Sequence, residues 1–474
     1  MAVLVFMLLI TTLLMLSVCH KRIPKLTAEH PCMRHRDLHS VLLRLTGEDV
    51  CQEKLEALAL DAQNVLITAR AGSGKTKTIA LKVALSDHNG IPPDQILALS
   101  FNRNAAHELG NRMLKYGASK IPSSTFHALA YAIVRPKPGA LVYGDRQMTL
   151  LRSLLGTSSD KISQNKLEEM RDFIVRTKHS GLDPAALRER GQRIGGLAAT
   201  ATRLYDDYTI LMRRKGWMDF DDLIEMATER LQMMPHTSII RLNDNRCDLG
   251  SLKLVCLDEF QDFSRLFYGL ISALRDTNSS MGVYAVGDDW QAINGFAGSD
   301  LEYFNNFDAY FGNSAKANLL TNYRSGKAIV EYANKQMRGL GNGGMALQDG
   351  GKVEQIKINR GLGGVSVPDA LKRVLGSIAG SVMILSRRNV LHGMDLTEWQ
   401  DKLVKFGLNA RVSTIHKAKG TEADTVVVVN EPGNHANSQL KALMGLEQAD
   451  VEQEERRINY VASTRARRQL VVIN

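Results

Sequence analysis

The sequence is poor in cysteine. Five cysteines are scattered along the chain, with no CxxC pair and no histidine at a ligand spacing: Cys19, Cys32, Cys51, Cys247 and Cys256. This pattern argues against a disulfide framework and against a zinc site, and it predicts no metal cluster. Reduced thiols indicate an intracellular compartment, cytoplasmic or nucleoid-type. An internal repeat is also lacking.

Extreme composition is lacking as well. The chain has 474 residues, 44% of them hydrophobic and 23% charged, which is typical of a globular protein with two or three compact units. Lysine and arginine number 60 against 50 aspartates and glutamates, giving a formal net charge of +10. Such an excess suits a polyanionic partner such as nucleic acid, although a solvated basic surface explains it equally well.

The first segment, Met1–Cys19, is almost uninterrupted apolar sequence and is followed at once by His20, Lys21 and Arg22. No positive charge precedes it, which argues against a cleaved signal peptide. Positive charge behind it would hold the remainder in the cytoplasm, so membrane association through residues 1–19 is one expectation. A buried apolar helix, or extra residues from an upstream start codon, are the alternatives.

Short apolar runs followed by helical periodicity recur along the chain and predict an α/β fold with parallel strands. The clearest predicted strands are Val65–Thr68, Ile96–Ser100, Leu254–Leu257, Val283–Val286, Val382–Leu385, Val426–Val429 and Leu470–Ile473. Between Arg135 and Gly216 the pattern predicts a helical insertion at about residues 136–214. Residues 313–318 are interpreted as a linker, and the glycine-rich stretches 339–351 and 361–364 as loops.

A predicted strand runs into Ala69, Arg70, Ala71, Gly72, Ser73, Gly74, Lys75 and Thr76, and a predicted helix, 77–85, follows. Strand, glycine-rich loop and helix are the context of a P-loop, whose backbone amides close around phosphates. Lys75 is expected to reach the β and γ phosphates of a bound nucleotide, and Thr76 to hold Mg²⁺.

A second strand, Leu254–Leu257, leads into two carboxylates, Asp258 and Glu259. Asp258 is expected to complete the magnesium shell, and Glu259 to orient or deprotonate the attacking water. Alone, this segment equally fits a strand followed by an acidic turn. Together with the P-loop it predicts nucleotide hydrolysis.

The sequence resembles the UvrD/Rep group of superfamily 1 helicases, because the group's motifs occur in order from about residue 50 to the C-terminus. They are AGSGKT (Ala71–Thr76), ILALSFNRNAAHEL (Ile96–Leu109), SSTFHALA (Ser123–Ala130), MDFDDLIEMA (Met218–Ala227), LDEFQD (Leu257–Asp262), AVGDDWQAINGFAGSD (Ala285–Asp300), LLTNYRS (Leu319–Ser325), MILSRRN (Met383–Asn389), STIHKAKGTEADTVVV (Ser413–Val428) and RRINYVASTRARRQL (Arg456–Leu470). The resemblance implies two RecA-like P-loop NTPase domains, residues 46–315 with the helical insertion and residues 316–474, after an N-terminal segment of residues 1–45.

Site roles follow from the resemblance. It implies that Gln291 and Arg324 lie near the γ-phosphate of ATP and that Arg465 reaches it from the second domain. The nucleotide would be bound by Ala71, Gly72, Ser73, Gly74, Lys75, Thr76 and Lys77, with Tyr323 stacking on adenine, Glu422 bonding the ribose and Gln52 the candidate reader of the base. Contacts to single-stranded DNA are implied for Phe101, Asn102, Phe126, His127, Phe296, Thr414 and His416, although core packing is the alternative for Phe126.

The sequence departs from the family at four positions of its motifs. Asn294 stands where an aromatic is usual, Ala297 where an arginine is usual, Arg70 where glycine is usual, and Thr421 where leucine is usual. Only residues 390–412 separate MILSRRN from STIHKAKG, where larger relatives insert an accessory domain. A compact member of the family is therefore expected.

The resemblance implies an ATP- and Mg²⁺-dependent helicase that moves 3′ to 5′ on single-stranded DNA towards duplex junctions, with repair or replication proteins as possible accessory partners. Two other functions stay open. One is a translocase that remodels protein–DNA complexes without unwinding, and the other is a nucleotide-gated nucleic-acid binding scaffold. The sequence leaves DNA against RNA undecided and contains no nuclease motif.

Overall fold

The structure is a computed structural model that describes residues 35–156, 163–233, 239–295, 298–357, 380–391, 394–405, 410–430 and 438–474. Within these ranges the chain forms two parallel sheets, each covered by helices on both faces. The predicted α/β class with two domains built on parallel sheets is confirmed.

The first sheet has six parallel strands in the order β3-β2-β6-β7-β1-β8. The strands are β1 (Asn64–Ala69), β2 (Ile96–Ser100), β3 (Ser123–Thr125), β6 (Leu254–Leu257), β7 (Gly282–Gly287) and β8 (Ser314–Leu319); a separate antiparallel hairpin pairs β4 (Ile239–Leu242) with β5 (Asn245–Asp248). Strands β2, β6 and β7 are buried at every residue, as expected of short apolar runs inside a sheet covered on both faces.

Helices bury the two faces of this sheet separately. One face carries α1 (His35–Thr46), α2 (Gln52–Ala59), α3 (Lys75–His88) and α4 (Arg103–Lys115). The other carries α5 (Phe126–Val134), α10 (Phe220–Met233) and α11 (Arg265–Thr277), with the short helices α12 (Glu302–Asn305) and α13 (Phe307–Phe311). This second face contains a cluster of buried phenylalanines that includes Phe260, Phe263 and Phe307.

The predicted helical insertion is confirmed as four helices with their own core: α6 (Gly144–Leu155), α7 (Gln164–Ser180), α8 (Pro184–Ile194) and α9 (Gly196–Lys215). Local sequence sets their ends. The Ser163 side chain accepts a hydrogen bond from the backbone N–H of Lys166 at the start of α7, and Gly181, with φ of 66°, ends that helix. Asp183 caps α8 in the same way, with proline at the first helical position.

The second sheet has five parallel strands in the order β11-β17-β16-β12-β15. They are β11 (Lys352–Ile356), β12 (Val382–Ser386), β15 (Ala410–Thr414), β16 (Ala423–Val429) and β17 (Ala466–Ile473), with two smaller pairs, β9 (Thr321–Gly326) with β10 (Met345–Gln348) and β13 (Val390–Leu391) with β14 (Met394–Asp395). The accompanying helices are α14 (Lys327–Gln336), α15 (Leu396–Lys405), α16 (Ile415–Ala418), α17 (Ser438–Leu443) and α18 (Gln448–Ser463).

Two loop assignments are wrong. Residues 313–318, predicted as a linker, mostly form β8, which pairs with β1 at the edge of the first sheet. The first sheet therefore continues to Leu319. The glycine-rich stretch 339–351 contains β10, whereas 361–364 lies outside the described residues.

No helix within the described ranges has both the length and the apolar composition that crossing a membrane requires. The apolar segment 1–19 lies outside those ranges.

Candidate functional site

The loop between β1 and α3 has the geometry of a phosphate cradle. Gly72 and Gly74 have φ of 74° and 90°, in the left-handed region that favours glycine. A Cβ on Gly72 would lie 2.7 Å from Asn322 Oδ1, so no side chain fits there. Ser73 Oγ is buried without a hydrogen-bond partner. Backbone amides and the N-terminus of α3 point to an anion as the occupant.

Two carboxylates at the end of β6 face this loop. Thr76 Oγ1 donates to Asp258 Oδ2 at 3.1 Å, and Lys75 Nζ lies 4.0 Å from Glu259 Oε2. Glu259 has φ of 54°, an unusual conformation for a residue other than glycine, of the kind that is often found at functional sites. Gln261 Nε2 donates to Glu259 Oε2 at 2.7 Å and fixes the carboxylate's orientation.

The two carboxyls have opposite pKa shifts. Burial and the adjacent charge of Glu259 raise the pKa of Asp258 to about 7. Burial also opposes ionisation of Glu259, but the charges of Lys75 and Lys419 outweigh it and lower the pKa of Glu259 to about 2. Glu259 is therefore an ionised acceptor at neutral pH, able to orient a water molecule. A cation bound next to Asp258 would stabilise its ionised form.

Arginines from the second sheet's domain complete the site. Arg465, 1% exposed, donates from Nη2 to Gln291 Oε1 at 3.3 Å and from Nε to the carbonyl of Val461 at 3.0 Å. Burial and the nearby charge of Arg324 lower the pKa of Arg465. Arg324 Nη1 donates to the carbonyl of Thr464 at 3.2 Å. Arg465 is thus held by a backbone carbonyl and the Gln291 amide, whereas Arg324 also forms an ion pair with Glu422.

One cleft of about 270 Å³ unites these groups. It is lined by Gly72, Gly74, Lys75, Thr76, Lys77, Glu259, Gln291, Tyr323, Arg324, Glu422 and Arg465, together with Glu108, Arg112 and Gly420. Positive groups from both domains thus converge on the anion cradle. Such a cleft can hold a triphosphate and neutralise charge on its terminal phosphate.

On the base side, Tyr323 donates its backbone N–H to the carbonyl of Gly72 at 2.9 Å. Glu422 pairs with Arg324 and Arg467. Gln52 begins α2, where its side chain is exposed and donates to Glu56 Oε1 at 2.9 Å. Lys54, which the sequence reasoning missed, has its Nζ 4.5 Å from the Tyr323 ring centroid.

Lys419 is a second missed residue. Its Nζ lies 2.5 Å from Asp262 Oδ2 and donates to the carbonyl of Gln291 at 2.9 Å. It therefore joins the second domain to both carboxylate-bearing segments of the first. The signal was present in the sequence, since Lys419 and Asp262 both lie within quoted motifs, but the residues are 157 positions apart.

The predicted nucleic-acid residues fall into two groups. Thr414 and His416 line a groove of about 360 Å³ between the second domain and α7, together with Arg387, Arg388 and Lys417. The opposite wall carries the acidic residues Glu168, Glu169 and Asp172 of α7. The sequence reasoning had taken MILSRRN only as a strand and missed its two arginines.

The three ring side chains predicted from the first domain, Phe101, Phe126 and His127, are less accessible. Phe126 is completely buried, with its ring centroid 4.5 Å from that of Phe267, so it offers no face to a base and its predicted stacking role is wrong. Phe101 is partly buried against the same ring, 5.0 Å away. His127 packs edge-on to Phe220, and burial lowers its pKa.

Asn102 is exposed, and its side chain caps α4 by accepting from the backbone N–H of Ala105 at 2.8 Å. Phe296 lies outside the described residues.

Comparison with known proteins agrees with this architecture. The model of the UvrD/REP helicase N-terminal domain matches residues 50–312, and that of the UvrD-like helicase C-terminal domain matches residues 378–474. DNA helicase IV of Escherichia coli (strain K12) is 28% identical over 463 residues, covering 85% of this chain and 65% of that protein. DNA helicase II of the same strain is 30% identical over 292 residues, covering 59% and 39%.

The ATP-dependent DNA helicase Rep of Buchnera aphidicola subsp. Schizaphis graminum is 30% identical over 282 residues, covering 57% of this chain and 41% of that protein. The chain thus spans 65% of the first relative's length and about two fifths of the other two. The two matched models cover the phosphate loop on one side of the cleft and Arg465 on the other, and on this basis the chain belongs to the UvrD/REP helicase family.

Proposed function

We propose that the chain is an ATP-driven motor that moves 3′ to 5′ along single-stranded DNA and couples hydrolysis to the separation of strands at duplex junctions. The observation that carries the proposal is the convergence of Arg324 and Arg465 on the cleft that contains Lys75 and Glu259. A triphosphate held between two domains makes their separation depend on the state of its terminal phosphate. The three relatives described above are all named as DNA helicases, which supports the same assignment.

Each group then has a role in phosphoryl transfer to water. The loop amides and Lys75 bind the β and γ phosphates, and the ionised Glu259 orients the attacking water. Arg324 and Arg465 neutralise the charge that spreads over the γ oxygens, an effect worth about 10³ to 10⁵ in rate for such arginines. Gln291, which accepts from Arg465, reports the presence of the γ-phosphate to the second domain.

Thr76 and Asp258 fit a magnesium ion. Both offer the hard oxygen ligands that Mg²⁺ prefers, 3.1 Å apart, and burial leaves Asp258 in need of a cation. When bound, the ion would neutralise charge on the phosphates of the nucleotide and orient them in the cleft. Tyr323 would stack on adenine, and Glu422 would bond the ribose after exchanging one of its arginine partners.

A short path joins the cleft to the groove. His416 and Lys417 line the groove, and Lys419 contacts Asp262 and the carbonyl of Gln291 beside the cleft. Closure around ATP moves Lys419 with α16, so the groove residues move with it. Alternating grip on a strand follows from such coupling, because the strand's affinity for each domain changes with the nucleotide state.

The test is ATP turnover by the wild-type protein with no nucleic acid, single-stranded DNA, single-stranded RNA or duplex DNA, at constant salt. We expect single-stranded DNA to stimulate turnover most. Glu259→Gln should lower kcat by about 10² to 10⁴ while ATP still binds, because the water loses its acceptor. Absence of stimulation by either kind of single strand would overturn the motor.

A translocase that remodels protein–DNA complexes without unwinding is the second candidate. The short connection, residues 390–412, favours it, because it leaves little chain for an accessory domain at that point. Forked DNA with a fluorophore and quencher at the junction separates the two functions. A motor that displaces streptavidin from a single strand but leaves the fork paired is the remodelling translocase.

A nucleotide-gated scaffold without hydrolysis is the third candidate, and the complete set of charged groups in the cleft argues against it. Glu259→Gln decides this point, because it removes hydrolysis while ATP still binds. A motor loses its movement on DNA with this variant, whereas a scaffold gated by nucleotide binding alone keeps its ATP-dependent DNA binding unchanged.

A further inference from the structure

We propose that Arg70 is a positioning residue that ties the phosphate loop to Gln291 and to the second domain, and thereby sets the rate of the hydrolytic step. The inference rests on the proposed function, since it concerns the same cleft. Arg70 stands where the family usually has glycine. It is the first residue after β1, its backbone N–H donates to the carbonyl of Leu319 at 2.9 Å, and its side chain is buried at 3% exposure.

The guanidinium of Arg70 makes contacts that a glycine cannot. Nη1 lies 2.7 Å from Asp288 Oδ1 and 2.5 Å from Asp289 Oδ1. The Arg70 Cζ lies 4.0 Å from the centroid of the Trp290 ring, on which the group stacks. A charge buried this completely is stable only with partners of opposite charge, and here two carboxylates and an aromatic face supply them.

Asp288 connects Arg70 to the catalytic groups. It is completely buried, and while Oδ1 binds Arg70, Oδ2 accepts from Gln291 Nε2 at 2.7 Å. This fixes the amide so that Gln291 Oε1 faces Arg465. The backbone N–H of Asp288 donates to Gln261 Oε1 at 2.8 Å, and Gln261 in turn holds Glu259. The orientations of Gln291 and Glu259 therefore both depend on Asp288.

Without Arg70 the buried Asp288 would lose the guanidinium that fixes its Oδ1. A buried carboxylate without a partner of opposite charge is costly, so the side chains around it would rearrange. Asp288 Oδ2 would then no longer hold the Gln291 amide in one orientation. Arg70 does not line the cleft, and its loss therefore acts on geometry and leaves nucleotide contacts in place.

The same side chain crosses to the second domain. Arg70 Nε donates to the carbonyl of Asn342 at 2.7 Å, and Trp290 Nε1 donates to the carbonyl of Leu340 at 2.5 Å. Next to them, the backbone N–H of Ala71 donates to Tyr460 Oη at 3.3 Å, and the rings of Trp290 and Tyr460 meet edge to face. Arg70 thus bonds Asp288 and the facing domain at once, which links the orientation of Gln291 to the closed arrangement.

The experiment is a double-mutant cycle on ATP turnover, with Arg70→Met and Gln291→Ala alone and combined. Arg70→Met keeps apolar contact with Trp290 and removes the charge. We expect kcat to fall by about 10²-fold, the cost of misplacing a catalytic group by about 1 Å, with KM for ATP nearly unchanged. In the Gln291→Ala background the same change should cost less than threefold, roughly, because its target is already gone.

Arg275→Met is the matched control. Arg275 also lies over a ring, with its Cζ 5.7 Å from the Phe311 centroid, and donates to the carbonyl of Phe311 at 3.0 Å, but it is not part of the cleft. Its replacement should leave kcat unchanged. Arg70→Lys, which keeps the charge but not the fork, should restore part of the lost rate, and it replaces Arg70→Met in the cycle if that variant does not fold.

Equal losses in both backgrounds, or a change in KM without a change in kcat, would overturn the inference while leaving the motor intact. A wild-type protein that does not hydrolyse ATP would overturn the proposed function instead.

Discussion

Two neighbouring side chains of the groove differ in charge. Burial and the charge of Arg387 lower the pKa of His416 to about 4, so this imidazole is neutral at physiological pH and becomes charged only as the pH falls to about 4. Lys417, by contrast, is exposed. Only a cationic residue releases counterions when it meets a phosphate.

This difference predicts separate effects on the salt dependence of single-stranded DNA binding. Lys417→Gln should reduce the slope of log K against log salt by about 0.7, the value for one phosphate contact on a single strand. His416→Gln should weaken binding without changing that slope, and wild-type binding should show no step between pH 6 and 8 from this residue. Fluorescence anisotropy titrations at four salt concentrations measure both, and equal slopes for the two variants would contradict the assignment.

The burial of Phe126 predicts a structural role. Its ring lies against Phe101, Phe263 and Phe267 in the core under the first sheet. Phe126→Ala should lower the free energy of unfolding by about 3–5 kcal/mol, the usual cost of such a cavity. Phe126→Leu should be far less costly and should leave DNA affinity unchanged, which a stacking residue could not do. Denaturant melts and binding titrations of the two variants test this.

At the scale of elements, the short helix α16 connects the groove to the cleft through Lys419. Removing that ammonium leaves the phosphate cradle intact but breaks the contacts with Asp262 and the carbonyl of Gln291. Lys75, the stronger of the two charges that keep Glu259 ionised, remains in Lys419→Met. Basal ATP turnover should therefore fall much less than its stimulation by single-stranded DNA, which should drop by about 5- to 150-fold, the usual range of coupling between sites.

Lys402→Met, on the exposed face of α15, is the control and should keep full stimulation. The ratio of stimulated to basal kcat is the quantity to measure. If Lys419→Met abolished basal turnover as well, Lys419 would act in the chemistry rather than in the coupling.

Elements also explain what could be read from the sequence. The central strands β2, β6 and β7 were predictable because burial on both faces demands continuous apolar runs. Edge strand β8, with the sequence SAKANL, has only partly exposed and exposed residues before its buried last residue, so it lacks the apolar run that identifies the central strands. For the site, motifs supplied Lys75 and Glu259, but no pattern reveals that Lys419 meets Asp262 or that α11 buries Phe126.

Outside the cleft, the helical insertion of the first domain also packs against the second domain. Leu440 and Leu443 of α17, in the second domain, pack into the insertion's core. Gln439 Oε1 accepts from the backbone N–H of Leu197 at 2.9 Å, and Arg190 donates to the carbonyl of Leu443 at 3.0 Å. The insertion and the second domain therefore enclose the groove between α7 and α16.

Loosening this contact should release bound strand faster. Leu443→Asp places a carboxylate in the apolar core and separates α17 from the insertion. We expect the dissociation rate from single-stranded DNA to rise at least tenfold, about 1.4 kcal/mol, while basal ATP turnover persists. Ala442→Asp, on the exposed side of the same helix, should have no effect. Stopped-flow dissociation compares the two, and identical rates would show that the insertion does not confine the strand.

The first sheet joins the second domain through a very short connection. Strand β8 ends at Leu319 in the first sheet and β9 begins at Thr321, so Leu320 is the single residue between them, and the Glu53 carboxylate accepts from the N–H groups of both Leu320 and Thr321. A joint this short permits rotation but little sliding. In the motor proposed above, the second domain would therefore rotate about Leu320, where the Glu53 carboxylate holds the backbone.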